Sequence, residues 1–124
     1  PVPCVIVQHG LGGRKEEVFL LSAAVAKRGY ASFFIDAAYH GERVPKGGKT
    51  IADLNLPEFH TAVGQTIADL RRGVDFLATR PEIDGKRVAY VGASLGGIIG
   101  GVFAADEPRV KATVLWAAGG GWGN

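Results

Sequence analysis

The 124-residue chain has no methionine, a single cysteine and no long apolar run. One cysteine, Cys4, cannot form an internal disulfide. It sits in a short apolar run and reads as a small core residue of a protein in a reducing, cytoplasmic compartment. The apolar stretches fall far short of the ~20 residues a membrane span needs, and the opening residues carry no signal-peptide pattern. No membrane partner is therefore expected. Net charge is only +2, without a basic run or basic–aromatic interleaving, so a nucleic-acid partner is not expected either. The three histidines, His9, His40 and His60, are scattered and give no metal-ligand spacing; neither metal nor cofactor is expected. The chain opens on Pro1-Val-Pro3 at the edge of a strand and stops at Gly123-Asn124 just past another. With no initiator methionine, it reads as one domain over 1–124 that is a fragment lacking its C-terminal strands.

What is present is an ordinary globular composition, 47% hydrophobic and 21% charged, arranged as strands alternating with helices. Cys4 to Gln8 is a continuous apolar run, as in a strand covered on both faces. Lys15 to Arg28 predicts a helix with Val18, Leu21 and Val25 on one stripe, ended by Gly29. Ala31 to Ile35 predicts a second strand, and Asp36 to Pro57 a long excursion broken by prolines and glycines. Over Glu58 to Ala78, the apolar residues Phe59, Val63, Ile67, Leu70, Val74 and Leu77 step by three and four, one face of a helix. Thr79 to Arg87 reads as a turn, Val88 to Gly92 as a third strand, Leu95 to Ala105 as a helix and Val110 to Ala118 as a fourth strand ended by Gly119 to Gly121. Such alternation implies a parallel sheet with right-handed crossovers.

The chemistry centres on Gly92-Ala-Ser-Leu-Gly96, a Gly-x-Ser-x-Gly pattern between a predicted strand and a predicted helix. Glycine two residues either side relieves crowding at so sharp a turn and holds the serine hydroxyl out at the carboxyl edge of the sheet. The plainer reading is a strand–turn–helix junction with Ser94 as N-cap. Four glycines in the following helix, Gly96, Gly97, Gly100 and Gly101, each cost about 1 kcal/mol against alanine. That segment must be held by packing, very close to the sheet.

Two further motifs stand in order before it: His9-Gly-Leu-Gly-Gly13 after the first strand and Asp36-Ala-Ala-Tyr-His-Gly-Glu-Arg43 after the second. With these three motifs the chain resembles the α/β-hydrolase superfamily, in its dienelactone-hydrolase-like and acetyl-esterase-like branch. Serine stands where true dienelactone hydrolases carry cysteine. The resemblance implies a three-layer, doubly wound α/β core of about four parallel strands, truncated, in spatial order 2-1-3-4. It also implies a crevice at the switch point between the first and third strands, and a small-molecule ester as substrate. Ser94 would be the nucleophile, with the backbone amides of Leu95 and Leu11 (or Gly12, if the loop is set one residue differently) as oxyanion donors.

A base is harder to find. The superfamily's order is serine, acid, histidine, yet no histidine follows Ser94. Asp106 and Glu107 lie about 18 Å along a helix from it. His9 is expected to fix the first loop by hydrogen bonds, and His40 to be structural, or else a makeshift base. His60 is expected at the surface, and Asp36 to brace its loop through local backbone bonds. The leading expectation is the core of a serine esterase, whose acid and histidine come from the remainder of the domain, in the same parent chain or another. A non-catalytic scaffold that binds a ligand or partner is the alternative. Dinucleotide binding fails because Gly-x-Gly-x-x-Gly from Gly10 would need glycine where Lys15 stands.

Overall fold

The computed structural model describes residues 1–119. Four strands, β1 (Val2–Gln8), β2 (Ala31–Phe33), β3 (Ile83–Ala93) and β4 (Val110–Trp116), form one all-parallel sheet in the order β2-β1-β3-β4. Three α-helices accompany them: α1 (Phe19–Ala26), α2 (Leu56–Ala78) and α3 (Leu95–Ala105). The expected doubly wound architecture and strand order are the observed ones. Period-two alternation in the strands separates the two faces. Cys4, Ile6, Val88 and Tyr90 point to the side of α2 and α3, where they are buried with Ile67, Leu70, Val74, Leu77, Ile99 and Phe103. Val7 and Val91 point to the opposite face and share a cleft with Val18 and Leu21, which places α1 there. Cys4 is inert in this core, its thiol pushed up to about 11 by burial.

Helix α2 carries the predicted apolar stripe but starts two residues earlier than expected. Asn55 accepts the Glu58 amide on its side chain, and the Glu58 carboxylate accepts the Asn55 amide, both at 2.9 Å. This reciprocal cap satisfies two helix-end donors and puts Pro57 in the first turn, where its missing N–H costs nothing. Strand β3 is longer than the predicted Val88 to Gly92. Val2 pairs with Ile83 and Cys4 with Val88, so the stretch between them bulges out of register. Asp84 stabilises the bulge by accepting from the Lys86 amide and the Arg87 side chain. The Asp84-Gly85 turn signal is real, but it sits inside a strand.

The predicted helix over Lys15 to Arg28 is split into a 3₁₀ turn, Lys15–Val18, and α1. Its expected stripe is only half-buried, and Leu21 is exposed. The segment Phe19-Leu-Leu-Ser-Ala-Ala-Val-Ala26 is apolar on nearly all sides except Ser22, so nothing in it selects one face. Phe19 and Leu20 are left at 64% and 83% exposure. Gly29 ends the helix at φ +82° as expected. Strand β4 is exposed from Lys111 to Trp116 on both faces. Of its expected glycine stop, Gly120 and Gly121 lie outside the described residues. No helix among the described residues is long and apolar enough to cross a membrane.

Candidate active site

Ser94 sits at the junction of β3 and α3 with φ +53° and ψ −119°, a conformation rare for a side chain larger than glycine. Its own amide donates to the Trp116 carbonyl (2.9 Å), and its carbonyl takes the Ile98 amide (3.0 Å). The strained backbone is thus held from both sides, and the side chain is exposed. The turn exists because two glycines let backbones touch. A Cβ on Gly92 would stand 2.2 Å from the Gly96 carbonyl oxygen, and one on Gly96 would stand 2.4 Å from that of Gln8. Below the turn, buried Tyr90 donates its hydroxyl to the Gly96 carbonyl (2.5 Å) and pins the first turn of α3 to the sheet.

The loop after β1 lies against this serine. A Cβ on Gly10 would be 3.4 Å from Ser94 Cβ and 4.0 Å from Oγ. The Gly13 amide returns to the Gly10 carbonyl at 3.1 Å, closing a turn around Leu11 and Gly12. Gly12, at φ +73°, takes the position of that turn that glycine favours. The Gly12 amide donates to His40 Nε2 (3.0 Å), so it is not free to act as the alternative oxyanion donor. The Leu11 amide finds no protein acceptor among the described residues. The Leu95 amide, first in α3, has no intrahelical acceptor by construction. Leu11 itself is 61% exposed, and Ser94 is exposed as well. A cleft of about 300 Å³ runs alongside, lined by Gln8, His9, Gly10, Ala93 and Trp116 among others.

Two of the three histidines that precede Ser94, His9 and His40, cross-brace the loops. His9, at the end of β1, accepts the Ala37 amide on Nε2 (3.0 Å) and places Nδ1 2.8 Å from the Gly10 carbonyl. His40, in the loop after β2, accepts the Gly12 amide on Nε2 and places Nδ1 2.9 Å from the Ala38 carbonyl. A nitrogen that accepts an amide carries no proton, and one facing a carbonyl must carry one. Both rings are therefore neutral Nδ1–H tautomers, with centroids 5.0 Å apart and planes tilted by 55°. Burial lowers the His9 pKa, with the His40 ring adding to that and the Gly10 carbonyl and Asp36 opposing it. Every ring nitrogen is engaged, so the reading of His40 as a makeshift base does not survive, while the structural reading does.

Asp36 braces more than its own loop. Its carboxylate accepts the Lys15 amide (2.8 Å), the Lys15 ammonium (3.3 Å) and the Glu42 amide (3.1 Å). Burial opposes its ionisation, but the two amides and the ammonium outweigh burial and hold its carboxyl below the usual range. The adjoining Ala38 amide is taken by Thr66 Oγ1 of α2 at 2.9 Å. Sequence reasoning found Asp36 and both histidines but not these partners. The bonds join residues 21 to 28 positions apart, which no local pattern reveals. His60 is exposed on α2, and Asp106 and Glu107 are held in ion pairs with Arg71 and Arg109.

The chain is similar to several known hydrolases. The 2,6-dihydropseudooxynicotine hydrolase of Paenarthrobacter nicotinovorans is 33% identical over 116 residues, 94% of this chain and 28% of that protein. The 20-hydroxy-prefusarin hydrolase of Gibberella moniliformis is 32% identical over 114 residues, 91% and 25% of the two. The chain spans less than a third of the length of either relative. Among solved structures, a ferulic acid esterase from Streptomyces cinnamoneus superposes with a TM-score of 0.74 at 26% identity, over 89% of this chain and 34% of that one. Residues 1–119 match the dienelactone hydrolase family, and the chain belongs to that family.

Proposed function

We propose that this chain is the nucleophile-bearing core of a serine hydrolase that cleaves carboxylic esters through an acyl-enzyme on Ser94. The observation that carries the reading is the strained Ser94, exposed beside two uncommitted backbone amides, those of Leu11 and Leu95. Membership in a family whose relatives include hydrolases and an esterase supports it. In the first step Ser94 Oγ attacks the ester carbonyl and gives its proton to a base. The carbonyl oxygen becomes an oxyanion and accepts hydrogen bonds from the two amides. Collapse of the tetrahedral intermediate expels the alcohol, which takes the proton. Water then attacks the acyl-serine by the same route and releases the acid.

The base is not one of this chain's histidines. His9 and His40 have no free lone pair, and His60 lies on α2. We assign the base and its orienting acid to polypeptide outside these residues. The small-molecule ester and that polypeptide are the partners the reading requires. The test is hydrolysis of a short activated ester by the full-length protein. Ser94→Ala removes one exposed hydroxyl and should abolish turnover while leaving circular dichroism unchanged. Turnover retained in Ser94→Ala overturns the nucleophile assignment, and a wild-type protein that binds the ester without cleaving it marks a non-catalytic scaffold.

A further inference from the structure

Three hydrogen bonds fix the turn that carries the Leu11 amide. The Gly13 amide and His9 Nδ1–H both meet the Gly10 carbonyl at its base, and the Gly12 amide donates to His40 Nε2 at its tip. Between them lies Gly12 at φ +73°, with nothing within 4 Å of where a side chain would be and the widest conformational freedom of any residue type. Without the His40 contact, the Leu11–Gly12 peptide plane is free to rotate, and the tip of the turn on which the Leu11 amide sits is tethered only through its Gly10–Gly13 base. His40 is well suited to prevent this. It is 2% exposed, its Nδ1–H is anchored on the Ala38 carbonyl, and the Ala38 amide is in turn held by Thr66 of α2. The chain of contacts runs from a long core helix, through the loop after β2, into the loop beside Ser94.

We propose that His40 is a positioning residue for the reaction at Ser94: by accepting the Gly12 amide on Nε2, it holds the Gly10–Gly13 turn so that the Leu11 amide points at the developing oxyanion. The inference rests on the proposed function above. His40 touches neither substrate nor Ser94 and acts through the backbone alone. His9 is its reciprocal, reaching from the first loop to the Ala37 amide, so each loop lends one imidazole to the other's backbone. The oxyanion interaction is made in the transition state rather than with bound substrate. Loosening its aim should therefore lower kcat and leave KM nearly unchanged.

The test compares His40→Ala and His40→Gln in the full-length protein, with Ser94→Ala as control. The glutamine amide oxygen can reach the position of Nε2 and accept the Gly12 amide, whereas alanine cannot. His40→Ala should lose on the order of a hundredfold in kcat, the scale of one misplaced oxyanion donor, at nearly constant KM. His40→Gln should recover most of that. Amide hydrogen exchange at Gly12, which needs no substrate, should quicken by more than about tenfold in His40→Ala and stay slow in His40→Gln, because a fixed acceptor protects the amide. If Ser94→Ala is inactive while His40→Ala keeps wild-type kcat, the positioning role is overturned and the serine reading stands. If His40→Ala does not fold, His40→Gln decides. A folded glutamine variant with a protected Gly12 amide and near-normal kcat supports the role, and one with a protected amide and a hundredfold loss overturns it. Turnover retained in Ser94→Ala removes the serine reading and this inference together.

Discussion

Two glycines in helices of the same chain should respond to alanine with opposite signs. Gly64 lies on the exposed side of α2, and a Cβ there meets nothing within 4 Å. Gly64→Ala should therefore gain the helix-propensity difference, about 1 kcal/mol, or about 4 °C in Tm for a chain of this size. Gly96, in the first turn of α3, gains the same propensity and pays far more in contact. Its Cβ would stand 2.4 Å from the Gln8 carbonyl oxygen and 2.8 Å from that of His9, both backbone atoms of β1 and the loop it feeds. Relief requires α3 and the end of β1 to separate by about 1 Å, overpacking that costs about 1–3 kcal/mol or more. With two backbone contacts to relieve, the cost falls toward the upper end of that range, and the net expectation is a loss of up to about 2 kcal/mol. The same separation pulls the Leu95 amide away from the Leu11 amide, so Gly96→Ala should also lose ester turnover well beyond its loss of stability. Urea unfolding of the full-length protein, with kcat measured in the same preparations, reads both. A Gly96→Ala protein as stable and as active as wild type would refute the claim that this contact sets the elbow.

Three further expectations follow from the same geometry. Ser94 at φ +53° stores backbone strain of about 1–3 kcal/mol that glycine does not bear, so Ser94→Gly should unfold at higher urea than Ser94→Ala, and equal midpoints would argue against strain. Burial lowers the His9 pKa from its ordinary 6.5, so the unfolded chain takes up that proton first as pH falls. Its stabilising contribution is full above about pH 7 and declines as pH drops through 6.5 toward the folded value; His9→Gln should flatten that slope, and an unchanged slope would contradict the assignment. Finally, the polypeptide of residues 1–124 alone should be a poor esterase, keeping only the residual catalysis of an oxyanion hole. It should also self-associate through β4, where Val114 and Trp116 are 57% and 75% exposed. A monodisperse, fully active preparation would place a base within the chain after all.

The architecture was legible because it rests on repeating local signals. The three- and four-residue steps of α2, the apolar run of β1 and the glycines around Ser94 each dictate an element by themselves. The errors fall where local signals compete with pairing or say nothing. Asp84-Gly85 announces a turn, yet Val2 recruits Ile83 into the sheet and the turn becomes a bulge in β3. The Phe19–Ala26 helix is apolar nearly all round, so the stripe read through Val18, Leu21 and Val25 selected no single face, and the structure buries Ser22 rather than Leu21. Asn55 and Glu58 spell a helix start that hydrophobic periodicity overlooks. At the site, the residue types pointed to Ser94 and to the loop beside it. The distinction between Leu11 and Gly12 as donor depended on His40, a contact 28 residues away in sequence.

The central claim is that Ser94 is an activated nucleophile, and a covalent probe tests it most directly. The full-length protein, treated with a fluorophosphonate and digested, should carry the adduct on the peptide containing Ser94, approaching one per chain, and Ser94→Ala should carry none. Wild-type protein that hydrolyses esters while Ser94 stays unlabelled, or that is labelled at another residue, would contradict the account.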